Sequence, residues 1–118
     1  MVTNRKRENA NRDTAGALEI GKDLRITKTT RRAAGAGTWV IGTLNGHRFH
    51  ALVFPEHAEC PEFELGDSRI SKLWIRRHSD GSIICNFDRG WDIRPTTKAA
   101  AAVVDFLAAG LAEHTYGK

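Results

Sequence analysis

Apolar and polar residues alternate along two stretches of this chain, which is the pattern of β-strands that bury one face. Asp23–Thr30 (D-L-R-I-T-K-T-T) alternates in this way and predicts a strand. Thr38–Phe54 divides at Asn45-Gly46 into T-W-V-I-G-T-L and H-R-F-H-A-L-V-F. Because Asn-Gly accepts the positive φ angles of a type I′ turn, the second stretch predicts a β-hairpin.

A two-residue turn at Asn45-Gly46 also determines which residues of this hairpin lie opposite each other. The predicted pairs are Leu44 with His47, Gly42 with Phe49, Val40 with Ala51, and Trp39 with Leu52. Both faces of the hairpin then carry apolar side chains, so we expect the second face to lie against a partner, a ligand or the N-terminal strand. The residues of this second face are Trp39, Ile41, His50, Leu52 and Phe54.

A second hairpin is predicted from Arg69–His78 and Ser82–Asp92, which are joined through Ser79-Asp80-Gly81. If its turn has two residues, Trp74 lies opposite Phe87. The expected core beneath the helix then comprises Ile70, Trp74, Ile83, Cys85 and Phe87. A three-residue loop with a bulge would exchange the two faces, because side chains on a strand alternate between them.

The C-terminal part predicts one helix over Thr97–His114, since it is rich in alanine and has apolar residues at helical spacing. Thr96 or Thr97 is the predicted N-cap. The predicted apolar stripe comprises Val103, Phe106, Leu107, Gly110, Leu111 and His114. One stripe covers one face of a sheet. We therefore predict an α+β fold, an antiparallel sheet of four to five strands with one C-terminal helix packed across one face.

The net charge of +4 is concentrated near the N-terminus. Residues 1–36 hold nine Lys/Arg against four Asp/Glu, whereas residues 37–118 hold nine against ten. The first residues offer almost nothing to bury, so we predict a flexible basic arm over residues 1–22 and a single α+β domain over residues 23–118. The basic residues at the start of this arm are Arg5, Lys6, Arg7 and Arg12.

The cellular setting follows from what the sequence lacks. No apolar run approaches the roughly 20 residues that span a bilayer, and the N-terminus has no apolar signal segment, so no membrane contact is expected. Two cysteines, Cys60 and Cys85, are too few for a disulfide scaffold and fit a reducing compartment, which favours the cytoplasm. Pro55–Asp67 predicts a solvated acidic loop, since its prolines interrupt regular structure.

Two short patterns suggest metal ligands, His47-x-x-His50 and His57-x-x-Cys60. Geometry argues against the first, because residues three apart on a strand point to opposite faces. Cys85 lies on an apolar strand, where cysteine usually behaves as a small hydrophobic residue. The chain also has no P-loop, no G-x-G-x-x-G and no G-x-S-x-G. We therefore expect a protein that is not an enzyme and uses no metal and no cofactor.

Aromatic and basic residues alternate along both strands of the second hairpin, in K-L-W-I-R and in F-D-R-G-W. Rings stack on bases and guanidinium groups hold phosphate oxygens, so this mixture suits a phosphate-rich ligand. In the alternative interpretation, the basic side chains lie along the rim of the core. We assign Trp74 and Phe87 to the core. The predicted ligand-binding residues are Lys72, Arg76, Arg77, Arg89, Trp91 and Arg94.

Three stretches, Gly37–Phe54, Arg69–Arg76 and Asp88–Asp92, carry the patterns G-T-W-V-I-G-T-L-N-G, R-I-S-K-L-W-I-R and D-R-G-W-D. In these stretches the chain resembles a family of small uncharacterised proteins encoded by phages, plasmids and integrated elements. The resemblance covers about the last two-thirds of the chain. It implies a mobile-element setting, in which small proteins often antagonise host defence, and it supplies no catalytic residues.

Together these observations predict a non-enzymatic small binding protein of mobile-element type. Its ligand would be nucleic acid or a nucleotide, bound through the second hairpin with its Arg and Trp residues. The alternative is an anti-defence inhibitor, similar to anti-CRISPR proteins, that binds a host defence protein complex. The doubly apolar first hairpin also fits a homodimer, since an exposed apolar face is often buried against another chain.

Overall fold

A computed structural model describes residues 23–33 and 35–117, and it shows six β-strands followed by one α-helix. The elements are β1 (Arg25–Arg31), β2 (Thr38–Leu44), β3 (His47–Val53), β4 (Ile70–Arg77), β5 (Ile83–Asp88), β6 (Trp91–Ile93) and α1 (Lys98–Tyr116). The strands form one antiparallel sheet in chain order, β1-β2-β3-β4-β5-β6. The α+β class is therefore confirmed. The predicted arm, with Arg5, Lys6, Arg7 and Arg12, lies outside the described residues.

The sheet has more strands than the expected four to five, because the expected strand over Ser82–Asp92 is divided in two. Arg89 and Gly90 have φ angles of 56° and 147°, and the chain reverses there. The amide of Asp88 donates to the carbonyl of Gly90 over 2.8 Å and closes this turn. Strand β6 then pairs with β5. The two aspartates of D-R-G-W-D therefore lie on different strands.

The first hairpin has the predicted register, since all four predicted pairs form between β2 and β3. Asn45 and Gly46 have φ angles of 51° and 76°, as the turn requires. The N-terminal strand β1 pairs along the free edge of β2. It does not lie against the second face of the hairpin, so that face gains no cover from it.

The register of the second hairpin differs by one residue from the one that a two-residue turn would give. Trp74 pairs with Asn86, and Leu73 pairs with Phe87. The connection runs through residues 78–82, and the register shifts again after Ile75 at a β-bulge. Of the two alternatives left open by the sequence, the two-residue turn does not form, and the observed hairpin has a longer connection and a bulge. Because successive side chains alternate between faces, a slip of one residue exchanges the faces of the strand.

The expected core is wrong at two positions as a result. Trp74 is half-buried on the face opposite the helix, and Ile83 is 37% exposed. Leu73 and Ile75, which alternate with Trp74, are buried in the core instead. The other expected core residues, Ile70, Cys85 and Phe87, are buried.

Thr97 is the N-cap of helix α1, and its side-chain oxygen accepts a hydrogen bond from the amide of Ala100 over 3.1 Å. It packs on one face of the sheet through Ala100, Val103, Val104, Leu107, Leu111 and Ala112. The predicted stripe is only partly correct, because Phe106 and Gly110 are half-buried and His114 is exposed. No helix among the described residues is long and apolar enough to cross a membrane.

The end of α1 is tied to the first hairpin by one side chain. The hydroxyl of Tyr116 donates to the carbonyl of Val53 over 3.0 Å and lies 2.8 Å from Oγ1 of Thr38. Thr38 is 3% exposed, so these bonds are shielded from water. They determine how the last turn of the helix sits above β2 and β3.

The loop between β3 and β4 contains one buried carboxylate, which differs from the expected solvated loop. Glu64 is 7% exposed, and its oxygens accept hydrogen bonds from the amides of Ala58 and Arg69 over 2.7 and 2.8 Å. Its Oε2 also lies 2.7 Å from Nδ1 of His57. Burial acts to raise the pKa of Glu64, but these hydrogen bonds outweigh burial and lower it. The ionised carboxylate therefore holds the loop together.

Candidate functional site

Among the described residues, no α-helix or strand packs on the face of the sheet opposite α1, although the loop between β3 and β4 buries Leu52 at one end. Cross-strand partners share a face, so the register identifies its members. We call this surface the open face, and we define it by its aromatic, basic and aliphatic side chains. They are Arg25 and Lys28 from β1, Trp39 and Ile41 from β2, Arg48, His50 and Leu52 from β3, and Lys72, Trp74 and Arg76 from β4.

Three aromatic side chains of the open face come from three neighbouring strands. Trp39, His50 and Trp74 lie on β2, β3 and β4, and each is half-buried. His50 and Trp74 are direct partners, with ring centroids 4.8 Å apart and planes at 79°. Half-buried rings on an uncovered sheet are the arrangement on which unpaired bases stack.

Basic side chains surround these rings. Arg48 and Arg76 lie opposite each other, and the guanidinium carbon of Arg76 is 5.5 Å from the ring centroid of Trp74. Nζ of Lys72 is 3.5 Å from Oδ1 of Asp88, with side chains 41% and 51% exposed. An ion pair as exposed as this one contributes only about 0–1 kcal/mol, so it can open to a phosphate at little cost. The open face therefore presents positive charge beside aromatic surface.

Burial and this charge both favour the neutral form of His50. Its pKa is lowered first by burial and then by the positive charges of Arg48 and Arg76. Nε of Arg48 also approaches Nε2 of His50 at 3.4 Å, where only an unprotonated ring nitrogen can accept. A bound anion would offset the two arginines, and it would raise the pKa of His50 again.

The structure separates the predicted ligand-binding residues into groups. Lys72 and Arg76 lie on the open face. Arg77 is engaged by Asp80, with Nε 3.1 Å from Oδ1 and Nη2 2.8 Å from Oδ2. These hydrogen bonds raise the pKa of Arg77 and hold the pKa of Asp80 well below its usual value. Arg77 therefore stabilises the turn between β4 and β5.

Trp91 and Arg94 lie on the helix side of the sheet. Trp91 contacts Phe87 edge to face, with centroids 5.2 Å apart, and packs against the core. The guanidinium carbon of Arg94 lies 5.4 Å from the Trp91 centroid. Arg89 lies elsewhere, over the ring of Phe63 at 4.5 Å, beside a cavity at one end of the open face. The predicted residues do not form one continuous site.

Sequence reasoning missed several residues of the open face. Arg48 alternates with His50 in the register that Asn45-Gly46 predicts, so a signal for it was present in the first hairpin. The face on which Trp74 lies depends on the length of the second turn. A two-residue turn would place it in the core, whereas the observed register places it on the open face. Trp39, Ile41, His50 and Leu52 were already predicted to share the second face of the first hairpin, whereas Arg25, Lys28, Arg48 and Trp74 were assigned to no binding surface.

The remaining candidate groups are the thiol of Cys85 and the His57-x-x-Cys60 pair of the loop between β3 and β4. Burial raises the pKa of the Cys85 thiol to about 12, so it stays protonated at neutral pH and acts as a packing residue. His57 contacts Glu64, while Cys60 is exposed. No group of three or more His, Cys, Asp or Glu in residues 23–33 and 35–117 could hold a metal ion.

Fold and open face together define a small α+β protein with a basic, aromatic sheet surface. The chain belongs to the family described as Domain of unknown function (DUF7678), whose model matches residues 38–112. The match begins with β2, ends within α1 and leaves out β1. No curated protein and no solved structure matches the chain. Its mobile-element origin stays a prediction.

Proposed function

We propose that this protein is a non-enzymatic binding protein for single-stranded nucleic acid and that the open face is the binding surface. The observation that carries the proposal is the presence of three aromatic rings and five Lys/Arg side chains on one uncovered sheet face. Rings stack on bases of any sequence, while the cations hold phosphates. Stacking needs unpaired bases, so a duplex would gain only the electrostatic contribution to the binding free energy.

The basic side chains of the open face have weak partners that a phosphate could replace. Lys72 is in an exposed ion pair, and Arg76 is stacked over Trp74. The contact from Arg48 to His50 is 3.4 Å, which is long for a hydrogen bond. In contrast, Arg77 already has a bidentate carboxylate partner, so we leave it out of the proposed surface.

Fluorescence anisotropy with labelled single-stranded and duplex oligonucleotides tests the proposal across a salt series. We expect tighter binding of the single strand, with a salt slope of up to about −3.5 if all five cations contact phosphate. Trp74→Ala should weaken binding about 5- to 150-fold, the equivalent of one stacked base at about 1–3 kcal/mol. Trp74→Phe keeps a ring and should restore part of the affinity. Absence of binding at low salt would refute the proposal.

Arg76→Ala and Arg94→Ala form a matched pair for the same assay. Both arginines are exposed, and both stack over a tryptophan, at 5.5 and 5.4 Å. They differ in the face of the sheet that they occupy. Arg76→Ala should weaken binding and reduce the salt slope by about 0.7, whereas Arg94→Ala should have little effect. Equal losses would indicate a response to net charge alone and count against the open face.

A second candidate function is an inhibitor that binds a protein of a host defence complex. The open face supports this function because it presents Trp and Arg side chains, which are the residue types that dominate protein interfaces. Light scattering and pull-down with defined defence complexes distinguish the two functions. Capture of such a complex, with no oligonucleotide binding at low salt, would favour the inhibitor. A stable dimer that buries Trp74 would instead favour self-association.

A further inference from the structure

A cavity of about 490 Å³ adjoins one end of the open face. Leu52 and Lys72, which are cross-strand partners on that face, also line the cavity. Its other walls come from the segment that follows β1, the loop between β3 and β4, and the turn between β5 and β6. Its volume lies within the range of about 300–1,000 Å³ that is typical of small-ligand sites.

The cavity is lined by more positive than negative charge. Four basic side chains line it, Arg32, Arg69, Lys72 and Arg89, against the carboxylates of Glu56 and Glu64. Glu64 is ionised, and hydrogen bonds from two amides and a contact with His57 hold it in place. An anion in the cavity would therefore meet four cations and two carboxylates, of which Glu56 is exposed and Glu64 is buried.

Two of the guanidinium groups are oriented by aromatic rings. The guanidinium carbon of Arg32 lies 5.4 Å from the centroid of Phe54, and that of Arg89 lies 4.5 Å from the centroid of Phe63. Nε of Arg32 donates to the carbonyl of Ala36 over 2.9 Å, which leaves its terminal nitrogens for another acceptor. Stacked guanidinium groups lose little further freedom when they bind an anion.

Backbone constraints hold two arginines at this cavity. Arg69 and Arg89 have φ angles of 65° and 56°, in the left-handed region that side chains with a β-carbon disfavour. Hydrogen bonds keep them there, because the amide of Arg69 donates to Glu64 and the amide of Arg89 donates to the carbonyl of Ser71 over 2.9 Å. Residues held in such conformations tend to occur at ligand sites.

We propose that this cavity binds a phosphomonoester, carried by the end of a nucleic-acid strand or by a free nucleotide. A terminal phosphate has about −1.5 to −2 charges at pH 7 and three acceptor oxygens, so it gains more from several arginines than an internal phosphodiester does. Guanidinium groups match phosphate oxygens as paired donors. The strand-end source rests on the proposed function, since the strand would cross the open face and end beside Lys72.

The test compares one oligonucleotide sequence with a 5′-phosphate, a 3′-phosphate or hydroxyl ends, together with a nucleoside 5′-monophosphate and its nucleoside. We expect one phosphorylated end to bind about tenfold or more tightly than the hydroxyl form. Arg89→Ala and Arg32→Ala should each bring the ratio of the two dissociation constants, hydroxyl form to phosphorylated form, towards one. Arg94→Ala, an arginine outside both the open face and the cavity, should keep the ratio. Melting temperatures establish that each variant is folded.

The outcomes separate the two proposals. Equal binding of all three oligonucleotides would overturn the cavity proposal and leave the open face intact. Binding of the nucleoside monophosphate, lost in Arg89→Ala, without oligonucleotide binding would support the cavity as a free-nucleotide site and overturn the open-face proposal. An equal drop of the ratio in Arg94→Ala would show a response to bulk charge and overturn the cavity proposal. No binding of any probe would overturn both.

Discussion

Replacing Gly42 with alanine should destabilise the domain, because the added β-carbon has no space. It would overlap the backbone oxygen of Arg25 on β1 and lie 2.9 Å from Cζ of Phe49 on β3. The first of these atoms belongs to a strand backbone, and Phe49 is fully buried. Neither can move aside without displacing β1 or repacking the core beneath α1.

The size of the effect follows from two opposed terms. Overpacking of a buried position costs about 1–3 kcal/mol. Alanine also reduces the conformational entropy of the unfolded chain, which stabilises the folded state by about 0.4–1 kcal/mol and offsets part of this cost. A net loss of about 1–2 kcal/mol lowers the melting temperature by about 4–16 °C in a domain of this size. Urea and thermal denaturation followed by circular dichroism measure both quantities.

Gly110→Ala provides the matched control, since no atom of another element lies within 4 Å of the added β-carbon. Gly110 lies inside α1, where alanine is favoured over glycine by about 1 kcal/mol. This variant should therefore be more stable than the wild type. If Gly42→Ala is as stable as the wild type while Gly110→Ala behaves as expected, β1 does not pack beside β2 as described, and the reasoning fails.

The remaining predictions concern binding. Acidification from about pH 7.5 to 5.5 should strengthen single-strand binding, because bound phosphate favours protonated His50, whose pKa in the free protein is lowered by burial, Arg48 and Arg76. His50→Gln should remove most of this pH dependence in an anisotropy titration, and an unchanged profile would contradict the assignment. Without ligand, the same lowered pKa means that stability falls as the pH drops below the ordinary value of 6.5. Deleting residues 2–13, which include Arg5, Lys6, Arg7 and Arg12, should flatten the salt slope by about 0.7 per lost phosphate contact and leave the melting temperature unchanged. An unaltered slope would show that the arm does not contact the ligand.

Local sequence patterns were sufficient wherever a structural feature depends on neighbouring residues. The Asn45-Gly46 turn determines its own geometry, so the register of β2 against β3 could be predicted. Thr97 and the alanine-rich segment act within one helix, so α1 and its N-cap were predicted as well. The α+β class followed, because a helix with one apolar face covers one face of a sheet.

Tertiary packing decided the second hairpin, and with it the candidate site. Two registers were compatible with Ser79-Asp80-Gly81, and they differ in whether Trp74 or its neighbours Leu73 and Ile75 lie beneath α1. Local sequence cannot decide between the two registers, because their relative stability depends on how side chains from β3, β5 and the helix fill the core. The β-bulge after Ile75 and the Arg77–Asp80 pair accompany the register that forms.

The cavity depended on tertiary structure in the same way. Arg32, Arg69 and Arg89 come from three separate connections, and only the folding of the sheet brings them to one end of the open face. The spacing of these arginines in the sequence does not indicate that they lie close together. Composition and local pattern therefore determined that the chain has basic and aromatic residues on strands, while packing decided which of them share a surface.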